Sequence, residues 1–199
     1  MNAKVMSESG TGYYSWIANG IIWATDNGAD VINMSLAGGG GSSTLANAID
    51  YAWDNGVVVV AAAGNDGSSS PRYPAAYDKV ISVAASLSTD ELASWSNYGA
   101  SWVDVSAPSW AYSTKIGGYT TMQGTSMACP VVAGLAGLVF DVATDSSGNG
   151  RTNDEVRLAI ESTCIDTGID VKYGRIDAAA AVGTSPPPTT GQVTGTVLD

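Results

Sequence analysis

Residues 29–63 read ADVINMSLAGGGGSSTLANAIDYAWDNGVVVVAAA, and this stretch decides the fold. Ala29 to Leu36 (ADVINMSL) is a short apolar run closed by glycines, which predicts a mostly buried strand. Ser43 or Thr44 can cap a helix, and Leu45, Ala48, Ile49 and Ala52 recur on one helical face. Asn55-Gly56 supplies the stop. Val57 to Ala63 (VVVVAAA) follows at once, apolar without alternation, as a strand covered on both faces would be. Strand, helix and strand joined by short turns predict a parallel sheet with helices packed on it.

The same alternation continues outward. Ser15 to Asp26 (SWIANGIIWATD) sets Trp16, Ile17, Gly20 and Trp23 at helical spacing, with Asn27-Gly28 as its end. Val80–Ala84 (VISVA) and Trp102–Ser106 (WVDVS) read as further short strands. Thr125 to Val142 is small and apolar throughout and reads as a buried helix. Asn153 to Ser162 is amphipathic, with Thr152 or Asn153 as cap and Glu155, Arg157 and Glu161 facing water. The expectation is an α/β fold, a three-layer parallel sheet flanked by helices. After Val182 the composition changes. Residues 1–183 are read as one domain, 184–190 as a Pro/Thr-rich linker, and 191–199 as the start of a further β domain. No internal repeat is visible.

The 199 residues carry 45% apolar and 14% charged side chains, enough for one sizeable core. Eight basic residues against nineteen acidic ones give a net charge of −11. That balance excludes nucleic acid as a partner, because phosphate must be neutralised by Lys and Arg. No apolar run is long enough to span a bilayer, so no membrane is expected. Cys129 and Cys164 have no metal-ligand spacing; a disulfide between them and two free thiols both stay open.

The chemistry is concentrated in Gly124-Thr125-Ser126-Met127-Ala128-Cys129-Pro130. A serine here stands at the start of a small-residue helix, where unpaired backbone N–H groups and the positive dipole end favour developing negative charge. Read alone, Ser126 is better explained as a helix cap.

The longer string GTSMACPVVAG resembles the nucleophile motif of the subtilisin family of serine peptidases, and other segments match it in order. These are SWIANGI (15–21), VINMSL (31–36), VVVVAAAGN (57–65), VDVSAP (103–108) and YGRID (173–177). The likeness covers roughly residues 3 to 182. It implies a subtilisin-like domain, N-terminally incomplete, from a secreted serine endopeptidase acting on peptide or protein substrates through an acyl-enzyme. Ser126 would be the nucleophile, and Asn65 would donate to the oxyanion beside the Ser126 N–H. An extended peptide would add as a strand between Gly10-Thr11-Gly12 and Ser35-Leu36-Ala37. Ala62, Ala63 and Gly64 would line a roomy apolar pocket, with Asp66 near enough to admit basic side chains. No cofactor is required; a weak Ca²⁺ or Na⁺ site is left open, at the carbonyls of Ala75, Tyr77 and Val80 or in the Asp145–Asp154 loop. The protein would be a monomer with further domains in a longer chain.

The pattern departs from the family at Ala37, Cys129 and Val131. The larger departure is that the chain has no histidine. The family's order places the catalytic Asp and His before the Ser, so both are expected in segments preceding Met1. The isolated chain would then be inactive. The alternative is a non-catalytic peptide-binding or structural pseudoprotease domain.

Overall fold

The computed structural model describes residues 1–183; the expected linker and β segment at 184–199 lie outside them. Helix α1 (Tyr14–Asp26) leads into strand β1 (Val31–Met34), helix α2 (Ser43–Asp54) and strand β2 (Val58–Ala62). Strands β3 (Val80–Ser86) and β4 (Val105–Pro108) follow, then a hairpin of β5 (Trp110–Lys115) and β6 (Gly118–Gln123). Helices α3 (Thr125–Phe140) and α4 (Asn153–Ser162), strand β7 (Gly174–Arg175) and the short α5 (Ala178–Ala181) complete the order.

Five strands form one parallel sheet in the order β1-β2-β3-β4-β7. Strand β2 shows why it is parallel and central. Its side chains alternate between faces, and both faces are apolar. Val58, Val60 and Ala62 pack with α3, α4 and α5, through Ala128, Val132, Leu135, Val156, Ile160 and Ala181. Val57, Val59 and Ala61 pack with α1 and α2, through Ile17, Ile21, Leu45, Ala48 and Ile49. The three layers are thus two helical layers around a sheet whose central strands, β2 and β3, are fully buried.

Helix starts depart in detail from expectation. Helix α2 is preceded by Ser42 and α4 by Thr152, and neither makes a side-chain capping bond. Asn153 instead reaches across to donate its Nδ2 to the Trp53 carbonyl at 3.0 Å, tying α4 to the end of α2. The β5–β6 hairpin was not anticipated. Its residues are almost all exposed, and its last residue, Gln123, stands directly before the Gly124 that opens α3.

One short antiparallel bridge lies away from the sheet. Gly38 and Tyr73 exchange two backbone bonds, Gly38 N–H to Tyr73 O at 2.7 Å and Tyr73 N–H to Gly38 O at 2.9 Å. It joins the segment after β1 to the segment after β2. No helix among the described residues is long and apolar enough to cross a membrane.

Candidate active site

The loops that follow β1 and β2 meet the first turn of α3 outside the carboxyl ends of those strands, where open α/β sheets hold their ligands. Gly64 makes the turn after β2. Its φ of +103° is in the left-handed region, and a Cβ there would sit 2.6 Å from Asn97 Nδ2, so only glycine fits. Its N–H donates to Thr125 Oγ1 at 3.1 Å.

Thr125 then fixes its neighbour Asn65. The Thr125 N–H and hydroxyl both donate to Asn65 Oδ1, at 2.9 and 3.0 Å. Two donors on one side decide which amide atom faces the helix. Asn65 Nδ2 is turned the other way and has no partner among the described residues. The Ser126 N–H, lying in the first helical turn, has no i−4 carbonyl to bond. A Cβ placed on Gly124 would lie 3.6 Å from Asn65 Nδ2 and 3.7 Å from Ser126 N. Asn65 and Ser126, which carry these two unpaired donors, both line one opening.

Ser126 is half-buried beside that opening. Its hydroxyl donates to the Ser35 carbonyl at 3.3 Å, and Ser35 Oγ donates to the Ser126 carbonyl at 2.8 Å. The Ser126 carbonyl is available because its helical donor would be residue 130, which is a proline inside α3. Asn33 Nδ2 in turn donates to Ser35 Oγ at 3.1 Å.

A cavity of about 400 Å³ opens here, lined by Ser35–Gly39, Ala62, Gly64, Asn65, Asp66, Arg72, Thr125 and Ser126. Of the residues singled out in the sequence, Ser35, Leu36, Ala37, Ala62, Gly64, Asn65 and Ser126 come together in it. Ala63 does not; it is fully buried, and its carbonyl accepts from Asn97 Nδ2 at 2.8 Å. Gly10, Thr11 and Gly12 lie on an exposed segment closed by Ser7 N–H to Thr11 O at 2.8 Å, outside the cavity lining. Nor is the cavity simply apolar. Arg72 Nε and Nη2 each stand 3.0 Å from Asp66 Oδ2 within it.

Sequence reasoning missed Asn97. It is fully buried, and its Oδ1 accepts from the N–H groups of Asp66 and Ser68, both at 3.0 Å. With its bond to Ala63 O, one side chain holds the whole turn that presents Asn65.

No group of three or more His, Cys, Asp or Glu side chains among the described residues is arranged to hold a metal. In the Asp145 loop the carboxylates are occupied with the loop's own backbone. Asp145 takes the N–H groups of Gly148, Asn149 and Gly150, and Glu155 takes those of Ser146 and Ser147. These bonds hold the Asp145 carboxyl below its ordinary range, led by Gly150 N–H, and bring that of Glu155 down to about 2, led by Ser147 N–H. The Tyr77 carbonyl accepts the Val80 N–H at 2.9 Å. Cys129 and Cys164 are free thiols, and burial pushes each up to about 12.

The sheet order and the helix layers are those of a subtilisin-like α/β domain. The chain belongs to the subtilase family, peptidase S8, which it matches over residues 1–183. It is 49% identical over 184 residues to a thermophilic serine proteinase of Bacillus sp. strain AK1, covering 90% of this chain and 44% of that protein. It is 47% identical over 191 residues to the halolysin-like extracellular serine protease Nep of Natrialba magadii, covering 94% of this chain and 34% of that one. Among solved structures, a protease of Pseudoalteromonas arctica superposes with TM-score 0.74 at 39% identity, over 86% of this chain and 58% of that chain. The chain spans less than half the length of these two sequence relatives.

Proposed function

We propose that the chain supplies the nucleophile and the oxyanion donors of a serine endopeptidase. The observation that carries this reading is the pair of unpaired donors, Asn65 Nδ2 and Ser126 N–H, bordering one opening beside Ser126 Oγ. Ser126 Oγ attacks the peptide carbonyl, and the carbonyl π electrons move onto oxygen. The two donors take that charge, as an oxyanion hole does. A base must accept the hydroxyl proton and pass it to the leaving amine; water then cleaves the ester by the same steps.

No residue in the chain is a histidine; on this reading a histidine base, and the carboxylate that orients it, come from a segment outside these 199 residues. The chain by itself is expected to leave peptides uncut beyond the residual effect of binding and oxyanion stabilisation, about 10³–10⁴ over water at best. The test has two arms. A chromogenic peptide is offered to the purified chain, and then to the chain refolded with a polypeptide carrying the missing Asp and His segments. Turnover only in the second arm, abolished by Ser126→Ala, is the expected result. Turnover by the chain alone at rates typical of complete proteases would overturn it.

The resemblance to an extracellular serine protease supports a secreted protein. A second reading, peptide binding without hydrolysis, rests on the missing histidine. It would be favoured if the two-part refolding gave binding and no turnover.

A further inference from the structure

We infer that Arg72 sets the selectivity of the cavity beside Ser126, for peptides whose P1 side chain, on the acyl side of the scissile bond, ends in a carbonyl oxygen: glutamine or glutamate. The inference rests on reading this cavity as the place where substrate side chains enter.

Arg72 stretches between the two walls. A Cβ on Gly64 would lie 3.5 Å from Arg72 Cγ, and a Cβ on Gly39, on the opposite segment, 3.4 Å from Arg72 Nη1. Its stem therefore lies along one wall and its head against the other. Nε and Nη2 are both directed at Asp66 Oδ2, and Asn97 Nδ2 stands 3.4 Å from the same oxygen. The guanidinium is thereby held in place. Nη1 has no partner among the described residues.

Three consequences follow for an incoming side chain. A guanidinium does not lose its charge in a protein, so a lysine or arginine would meet a fixed cation. Asp66, the one carboxylate in the lining, is already paired with that cation. An aromatic ring would strip water from Nη1 and return no hydrogen bond. A terminal carboxamide or carboxylate returns one, charge-assisted, to a donor that is already oriented. Sites that offer a positioned polar group discriminate strongly against ligands unable to use it. The roomy apolar pocket expected from the small residues Ala62 and Gly64 is thus given a polar floor by Arg72, which the same loop carries back into the cavity.

The test is binding by calorimetry of acetyl-Ala-Ala-X carboxamides, with X as Gln, Glu, Phe or Lys, to the full 199-residue chain and to Arg72→Met. On the unaltered chain the Gln and Glu peptides are expected to bind about tenfold or more tightly than the Phe and Lys peptides. In Arg72→Met the Phe peptide is expected to gain and the acceptor preference to vanish. The ranking on the unaltered chain stands whether or not the variant folds. Phe binding tightest to the unaltered chain, or an unchanged ranking in a folded Arg72→Met, would overturn the role of Arg72 and leave the peptide site intact. Failure of all four peptides to bind would overturn both.

Discussion

Thr125 Oγ1 stands between two turns, donating to Asn65 Oδ1 at 3.0 Å while accepting the Gly64 N–H at 3.1 Å. One buried hydroxyl thus joins the start of α3 to the loop after β2, and sets which way the Asn65 amide points. The neighbouring serine is positioned by the same turn, so the geometry of the site depends on this threonine as well.

Thr125→Val keeps the shape and removes the hydroxyl, leaving the Gly64 N–H unpaired. A loss of about 1–3 kcal/mol is expected, read as a lower urea midpoint at constant slope. Thr125→Ser should recover most of it. A valine variant within about 0.5 kcal/mol of the parent would show the bond to be dispensable.

Asp104 lies at the opposite end of the sheet, just before β4. Burial is the largest influence on its carboxyl and outweighs the cations Arg157 and Lys172, raising it from 3.8 to about 6. Glu161 adds to the rise, while a bond from Ser82 N–H opposes it. The folded form therefore holds a proton that the unfolded chain has released between pH 3.8 and about 6. Through that window stability falls as pH rises. Asp104→Asn should flatten the difference between stabilities measured at pH 4 and pH 7. An unchanged slope in that variant would disprove the assignment.

Arg157 lies between two carboxyls, 2.6 Å from Glu161 Oε1 and 3.5 Å from Asp104 Oδ1, with all three side chains at most 15% exposed. It also donates to the Asp78 carbonyl at 2.6 Å. Arg157→Met would strand both acids, and the expected cost is about 3–5 kcal/mol at pH 7. Thermal melts showing less than about 1 kcal/mol of change would mean that water reaches the cluster.

The two thiols give a chemical probe of packing. With both pushed up to about 12 by burial, little thiolate exists at pH 8, and thiolate is the reactive form. Iodoacetamide should leave both cysteines unmodified in the folded chain and label both in denaturant. Labelling of folded Cys129 at the rate of a free thiol would contradict its place in the core.

The sequence made the sheet legible because β2 and β3 are apolar on both faces, a pattern with few other readings. Helix α4 was read with its bounds intact, but its polar face was not: Arg157 and Glu161, expected to face water, are only 15% and 9% exposed because Arg157 pairs with both Glu161 and Asp104. The β5–β6 hairpin escaped because it buries almost nothing, so its strands are defined by each other and not by apolar alternation. Gly117-Gly118 at its tip was the one local signal. At the site, Ser126 and Asn65 stood out through a contiguous motif. Asn97 had no such mark, since it acts on residues about thirty positions earlier that only folding brings near; Arg72 lies in the same loop as Asp66, but nothing in the motif shows that its side chain turns into the cavity. Ala63 was misplaced because a continuous apolar run does not reveal which of its members turns inward.

The bridge between Gly38 and Tyr73 closes the far side of the cavity like a clasp. Its two walls are parts of one backbone ring, and widening it means breaking two hydrogen bonds, each worth about 0.5–1.5 kcal/mol net. The separation of the two walls is therefore a property of the main chain. Substitutions at position 72 are free to change the floor while the walls stay the same distance apart.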